Sequence, residues 1–470
     1  MRYLLLCVMV ITACAPAIRP GPPMLKHVAL PADILESNPA IRQSSGATLP
    51  QKWWEAFHDN NLDEVIDIAL SGNPSLGEAY ARLGEAQAVV TQAKSTLLPN
   101  IHSAGDISRL HNSQNGNHDI YNGKTATIAN IDPLVANYRP DFWGRDSEII
   151  GAARAYKAMA AAELRQSALI VSSTVIKTYF ALLTTMQLVA IQSEVVKQSE
   201  EQTHLLHVAY QAGIQPKIRT ISEDIDLLEA KSALASLEER VDADRFALLA
   251  LLGRPPSDTI PPISADLSIP GRFDIPQELG LDLISQRPDI QAALWNIKQQ
   301  AHSENVARDA FYPNVDLHAV AGLNSIGLAN LFRAGSIAYS FGPAIDLPLF
   351  EGGARRGRLQ EAESDYGLAV YAYNRAVLES VQQIAMALAA MKDARIQLDD
   401  RTASVSLTIS KLAMAEQGFR AGIYDRFPYL EAEIAVNRER MAHLKATLNF
   451  INSITDLATS LGGGFGSWRG

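Results

Sequence analysis

Along the chain the apolar positions switch twice from a helical period to a strand period and back. From Asn73, "NPSLGEAYARLGEAQAVVTQAKSTLLPN" keeps a helical pattern that stops at Pro99. From Arg287, "RPDIQAALWNIKQQAHSENVARDAFYPN" does the same up to Pro313. Beyond Pro313 the period drops to two: Val315, Leu317, Ala319, Ala321 and Leu323 share one face, with Asp316, His318 and Asn324 on the other. "SIAYSFGPAIDLPLF" supplies the next strand and brings Tyr339 and Phe341. In the first half "IHSAGDISRL" and "TATIANIDPLVANY" hold the same places, joined by the polar loop "HNSQNGNHDIYNGK". The pattern predicts a β-hairpin between helical segments in each half.

After each hairpin the helical period returns and lasts. Val370, Val377, Ile384, Met391, Leu398 and Val405 fall seven apart, and Ala161, Ala168, Val175, Leu182, Val189 and Val196 do so 209 residues earlier (370 − 161 = 209). A strict seven-residue apolar repeat imposes a left-handed supercoil. No Pro interrupts positions 146 to 212, so this helix would reach roughly 100 Å at 1.5 Å per residue. Such a helix needs partners along its whole length.

The halves are one unit written twice. Pro74 aligns with Pro288, Pro99 with Pro313, Phe142 with Phe350, Gly144 with Gly352, Gly213 with Gly422 and Gly253 with Gly462. The predicted organisation is an extended segment over 14–60, repeat one over 61–255 with its hairpin near 100–142, a linker over 256–280, repeat two over 281–462 with its hairpin near 314–350, and a tail over 463–470. "HVAYQAGIQPKIRT" and "EQGFRAGIYDRFPYLEAE" are the two breaks between long helices. There Gly213 and Gly422 are expected as helix C-caps where the chain reverses, and Pro216 and Pro428 near the first turn of the return.

Composition adds a compartment. Arg2 and the apolar run "LLLCVMVITA" form a signal peptide over 1–13, too short to span a membrane. The ending "ITAC" resembles the lipobox of bacterial lipoproteins, which implies cleavage before Cys14 and lipid attached to it; an ordinary signal peptide with an incidental Cys is the alternative. Cys7 leaves with the signal, so Cys14 has no disulfide partner. No later apolar run reaches 18 residues, so no transmembrane helix is expected. Strands of this length with one apolar face suit a transmembrane barrel. Four strands cannot close one, and open edges are not tolerated in lipid, so several chains must share the closure.

Chemistry is absent from the pattern. A formal net charge of −10 argues against nucleic acid as a partner. There is no nucleophile elbow, no HExxH and no Walker motif. "LGGGFG" ends a helix rather than opening one, and His204 with His207 lacks a third ligand. The expectation is no cofactor, no metal and no enzyme.

"WWEAFHDNNLDEVIDIALSGNPSLGEAYARLGEAQA" from Trp53, "YRPDFWGR" from Tyr138, "LLGRPP" from Leu251, "LISQRPDIQAAL" from Leu283, "FYPNVDL" from Phe311 and "LPLFEGGARRGRLQEAE" from Leu347 cover nearly the whole mature chain in order. They resemble the outer membrane factor family of TolC-like exit ducts, in particular its NodT-type lipoproteins of resistance-nodulation-division systems. The resemblance implies an α+β membrane protein that works as a homotrimer. Each chain would give four strands to a twelve-stranded β-barrel in the outer membrane, continuous with a long periplasmic α-helical barrel, with a collar around the middle.

It also implies a passive exit duct in a tripartite efflux system, with a periplasmic adaptor and an inner-membrane pump as partners and outer membrane lipid around the barrel and at Cys14. The family closes the second-repeat turn with an apolar residue and, about one helical turn later, a carboxylate; these positions fall on Phe427 and Glu431. Relatives often place a basic residue where this chain has Ile434, so the lock is expected to use other contacts, with Asp425 and Arg426 as candidates. The adaptor is expected at Gly213, Ile214, Gly422 and Ile423. An exit duct for type I protein secretion and a pore-free structural coiled-coil lipoprotein are the alternatives.

Overall fold

The structure, a computed structural model, describes residues 16, 20–25, 41–44, 52–115, 122–264, 267, 273–276 and 285–463, with backbone alone for 41–44 and 273–276. The expected signal peptide over 1–13, Cys14 and residues 464–470 lie outside the described residues. The elements in order are β1 (Ile41–Ser44), α1 (Asn60–Gly72), α2 (Pro74–Ser95), β2 (Asn100–His111), β3 (Thr125–Tyr138), α3 (Arg145–Gln211), α4 (Lys217–Leu251), β4 (Phe273–Pro276), α5 (Pro288–Asp309), β5 (Asn314–Ile326), β6 (Ile337–Asp346), α6 (Ala354–Arg420) and α7 (Arg426–Ser460). The chain divides into two compact units: 1–24, 82–160 and 293–373 form one, and 25–81, 161–292 and 374–470 the other.

The first unit holds an antiparallel sheet in the order β2-β3-β5-β6. Its register sorts the side chains by chemistry. Ala319 pairs with Phe341, Ala321 with Tyr339 and Leu323 with Ile337, so these make one apolar face. On the other face Asn100, Asn137, His318 and Gly342 form a single cross-strand row. Two irregularities, between His102 and Ala104 and between Ile131 and Leu134, shift the register, and beyond them the sorting is looser: Ile128 pairs with Ile326 on the polar face and Arg109 falls on the apolar one. Gly322 is required on the polar face: a Cβ there would come within 2.2 Å of the Asp132 carboxylate. The strands stop at Tyr138 and Asp346, short of the predicted hairpin ends, because Pro140 and Pro348 follow and cannot donate to a ladder. β2 and β6 are the two edges.

The long helices show the duplication. α3 and α6 each have 67 residues, α4 and α7 each have 35, and the starts differ by a constant offset (354 − 145 = 209; 426 − 217 = 209). Caps repeat as well. Gly213 donates to Tyr210 O and Ile214 to Ala209 O, while Gly422 donates to Phe419 O and Ile423 to Gly418 O. These are paired Schellman turns with the glycine at φ 74° and 72°. Pro216 is the N-cap of α4, whereas Pro428 is the third residue of α7, where the missing N–H costs nothing.

Equivalent junctions use different chemistry. Asn73 Nδ2 donates to Leu251 O at 2.8 Å, and its repeat partner Arg287 reaches the equivalent Ser460 O at 2.6 Å (460 − 251 = 209). Each ties the helix after a Pro to the last turn of the returning helix. The extended segment predicted over 14–60 gives way at Trp53, where a 3-10 turn over Trp53–Phe57 buries Trp53, Trp54 and Phe57. Asp59 then caps α1, accepts from Tyr179 Oη at 3.0 Å and from Ser264 Oγ at 2.6 Å, and so pins the linker to α3. β1 and β4 pair in parallel and join the segment before Trp53 to the same linker.

Most of the seven-residue stripe is core, with Ala161, Ala168, Val189 and Val405 only half-buried. Val370, Val377, Ile384, Met391 and Leu398 are buried, as are Val175, Leu182 and Val196. One 18-residue window of α3 reaches a mean hydropathy of 1.4, enough for a membrane span by composition, but 67% of that window is buried inside the protein. Side-chain pairs set the helix order near the turns. Lys231–Glu200 at 2.8 Å joins α4 to α3, Asn437–Gln198 at 3.0 Å joins α3 to α7, and Arg401–Glu439 at 3.4 Å joins α7 to α6.

Candidate functional site: the second helical turn

Both turns between long helices share a backbone, and the second sets a doubly hydrogen-bonded Arg–Glu pair beside two stacked aromatic rings. Asp425 is the N-cap of α7 and its carboxylate accepts from Phe427 N at 3.0 Å. That fixes the start of the helix and sends the Arg426 side chain toward α3. There the guanidinium donates twice to the Glu201 carboxylate, at 2.9 and 3.2 Å. Behind it Phe419 and Tyr429 stack with centroids 5.9 Å apart, and the Arg426 guanidinium lies 4.6 Å from the Tyr429 ring centroid. Tyr424 folds back over Gly418, where any Cβ would meet the ring at 2.2 Å. The hydrogen bonds from Arg426 hold the Glu201 carboxyl below the usual carboxylate range.

The residues expected at the closure sit on the other side of this clamp. Phe427 is half-buried, with the Arg219 guanidinium of α4 5.1 Å from its ring centroid. Glu431 is exposed one turn further along α7. Its charge is felt by Glu223 of α4, whose carboxyl is pushed up by burial first and then by Asp226 and Glu431. Glu223, Asp226 and Glu431 are therefore near enough for the last two to act on the first, with Arg219 and Arg438 partly offsetting them. Ile434, where a basic residue was expected in relatives, is buried apolar core. Gly213, Ile214, Gly422 and Ile423 all lie at the exposed turns, with Ile214 74% and Ile423 72% exposed.

The first turn carries a different pair, His207 Nε2 with Asp224 Oδ1 at 3.0 Å between α3 and α4. Position by position, Arg426 corresponds to Lys217, Tyr429 to Thr220, Phe427 to Ile218 and Glu431 to Ser222. Sequence reasoning marked Asp425 and Arg426 and missed Glu201, Arg219 and Glu223, because their roles depend on contacts between helices far apart in sequence. The polar face of the sheet is the other feature of note. Asp106, Asp132, Asp316 and Asp346 lie on it, and the strands put no Lys or Arg there; Arg109 falls on the apolar face.

Comparison with known proteins fixes what this arrangement belongs to. The profile of the family described as "Outer membrane efflux protein" matches residues 65–254 and 280–463, the two halves of the repeat. The multidrug resistance outer membrane protein MdtP of Escherichia coli strain K12 is 26% identical over 466 residues, covering 97% of this chain and 94% of that protein. The fusaric acid resistance protein FusA of Burkholderia cepacia is 30% identical over 71% of this chain and 64% of its own length. The crystal structure of the Campylobacter jejuni CmeC outer membrane channel superposes with a TM-score of 0.82 at 22% identity, covering 96% of this chain and 95% of that one. The chain belongs to the outer membrane efflux protein family, and its work is that of an outer membrane exit duct for efflux.

Proposed function

We propose that the protein acts as a homotrimer, a passive duct that receives substrates from a periplasmic adaptor and an inner-membrane pump. The observation that carries this reading is the sheet. It has four strands, two open edges, and an apolar face on which Phe341 is 82% exposed. Unpaired edge groups cost several kcal/mol each in hydrocarbon, so a membrane sheet of this size must be completed by other copies. Three copies would supply twelve strands, apolar face toward lipid and the Asp-bearing face toward water.

The long helices of the second unit would line the periplasmic path, with the second turn as its gate. In that reading Phe427 narrows the bore, Glu431 and Glu223 line it with negative charge, and the Arg426–Glu201 pair holds α7 against α3. Gly213, Ile214, Gly422 and Ile423 present the surface that an adaptor hairpin would grip. Lipid on Cys14 would anchor the chain in the outer membrane of a Gram-negative cell; a single acyl chain binds only marginally, so the barrel and the lipid would act together. The substrates are small molecules of the kind for which MdtP and FusA are named, multidrug substrates and fusaric acid. No bond is made or broken in the duct; energy enters at the pump.

Planar-bilayer recording tests this reading. The purified protein is expected to form small, mostly closed channels, and Phe427→Ala with Glu431→Ala is expected to raise the conductance. Absence of any conductance from the wild type and the double variant would remove the duct.

A further inference from the structure

Exposed apolar side chains mark the end of the sheet from which the long helices continue. Past β6, Leu349 is 88% and Phe350 91% exposed, and past β3, Phe142 and Trp143 are exposed as well. In a sheet that lies in lipid, such side chains belong where hydrocarbon gives way to headgroups. Both junctions turn on a glycine with positive φ, Gly144 and Gly352, yet they differ in charge. Residues 139–149 carry two Arg against three carboxylates, and residues 347–358 carry three Arg against one.

The first junction closes its charges within the chain. Asp141 accepts from Asp146 N at 3.1 Å and from Ser147 N at 2.9 Å. Asp146 pairs with Arg139 at 3.2 Å, and Glu148 meets His302 at 2.7 Å. The second junction leaves its charges open. Leu349 stands where Asp141 stands in the first half (349 − 141 = 208), and α6 opens on Arg355, Arg356 and Arg358 with no acidic residue in its first turn. Among the described residues the ion pairs of these arginines all run to Glu351: Arg355 donates to it at 2.7 and 2.9 Å, and Arg358 lies 3.7 Å away with its side chain 66% exposed. Arg356 is exposed and makes no ion pair among the described residues. Basic side chains at this end of a helix oppose its dipole, so the helix gains nothing from them.

We propose that Arg356 and Arg358, with Leu349 and Phe350 beside them in the chain, bind anionic phospholipids of the periplasmic leaflet of the outer membrane. This rests on the membrane sheet proposed above, whose helix-bearing end faces the periplasm. The apolar pair enters the hydrocarbon, and the guanidiniums take the headgroup phosphate, an acceptor that matches their paired donors. Arg355 is held by Glu351 and is left to the fold. The surface sets the depth of the sheet in the membrane by charge as well as by apolar area.

Native mass spectrometry of the delipidated protein, titrated with dioleoyl phosphatidylglycerol or dioleoyl phosphatidylethanolamine, tests this. The two lipids share their tails, so a difference between them reports the headgroup. The wild type is expected to bind phosphatidylglycerol more tightly. Arg356→Gln is expected to weaken that binding about fivefold, and Arg356→Gln with Arg358→Gln about thirtyfold, with phosphatidylethanolamine binding unchanged. Leu349→Ser with Phe350→Ser is expected to weaken both lipids alike. Glycerol 3-phosphate, which has no tails, is expected not to displace the lipid; displacement would mark a free-phosphate site and overturn the lipid reading.

Equal binding of the two lipids by the wild type overturns the proposal, as does a preference that survives loss of both arginines. A double arginine variant that shifts the reversal potential of the channel but not its lipid binding places these groups in the bore, and overturns it too. If Arg356→Gln alone abolishes the trimer seen on unboiled gels, the partner is an acidic group of another copy and not a lipid. A wild type that forms no trimer strikes instead the assembly on which the membrane sheet depends.

Discussion

Arg426 holds Glu201 through two hydrogen bonds, 2.9 and 3.2 Å, across the junction of α7 with α3. Neither partner is deeply buried, so each pair is worth only about 0.5 kcal/mol. Three such pairs acting together would still change an open-to-closed ratio roughly tenfold. Arg426→Ala or Glu201→Gln is expected to raise the resting conductance in planar bilayers while leaving the amount of unboiled trimer unchanged. Unaltered conductance would show that the clamp is incidental.

The same pair sets an acid limit. Arg426 lowers the Glu201 carboxyl from its ordinary value of 4.5, so the folded state holds that proton less tightly than the unfolded one. The contribution is therefore complete above 4.5 and is lost as pH falls through the lowered value. Wild-type conductance is expected to rise on acidification below about 4.5, and Glu201→Gln to lose this part of the response.

Glu223 works in the opposite sense. Burial and the charges of Asp226 and Glu431 push its carboxyl above 4.5, so its ionised form weakens the closed packing at neutral pH and its protonation strengthens it. Glu223→Gln is expected to tighten the turn at pH 7, seen as fewer spontaneous openings and slower proteolysis at Gly422. A more open channel in this variant would mean that the carboxylates do not face one another in the assembly.

The sheet predicts ion preference. With Asp106, Asp132, Asp316 and Asp346 on the polar face, the bore should favour cations. Replacing all of them by Asn is expected to lower the cation-to-anion permeability ratio, read as a reversal potential under a salt gradient. A ratio that does not move would assign selectivity to the helical turn instead.

Tyr179 tests the joint between the linker and α3. Its hydroxyl donates to Asp59 and accepts from Ser264 N at 2.9 Å, in a position where burial pushes its ionisation up to about 12. Tyr179→Phe leaves both partners short of a bond and is expected to cost about 1–3 kcal/mol. The check is the midpoint of thermal melting followed by Trp fluorescence, since Trp53 and Trp54 are buried in the same unit.

Much of this was legible in the sequence because periodicity and caps are local. The heptad stripe from Val370 to Leu398 and the alternation from Val315 to Leu323 each follow from one stretch of chain, and Gly213 and Gly422 mark turns that only positive φ permits. The long-range partners were not legible. Nothing near Glu201 singles it out from Glu200, which pairs instead with Lys231 at 2.8 Å. Asn73 and Arg287 look unrelated until the fold brings each to the carbonyl that ends a returning helix. Pro216 and Pro428 both fall near the first turn of the return, as the local pattern implies, one as the N-cap of α4 and the other as the third residue of α7.

Stoichiometry is the most direct test of the account. Native mass spectrometry of the purified protein in a mild detergent should give a single species of three chains that retains its strand signal in circular dichroism. A monodisperse single chain with its strands intact would contradict the claim that the sheet edges are completed by other copies.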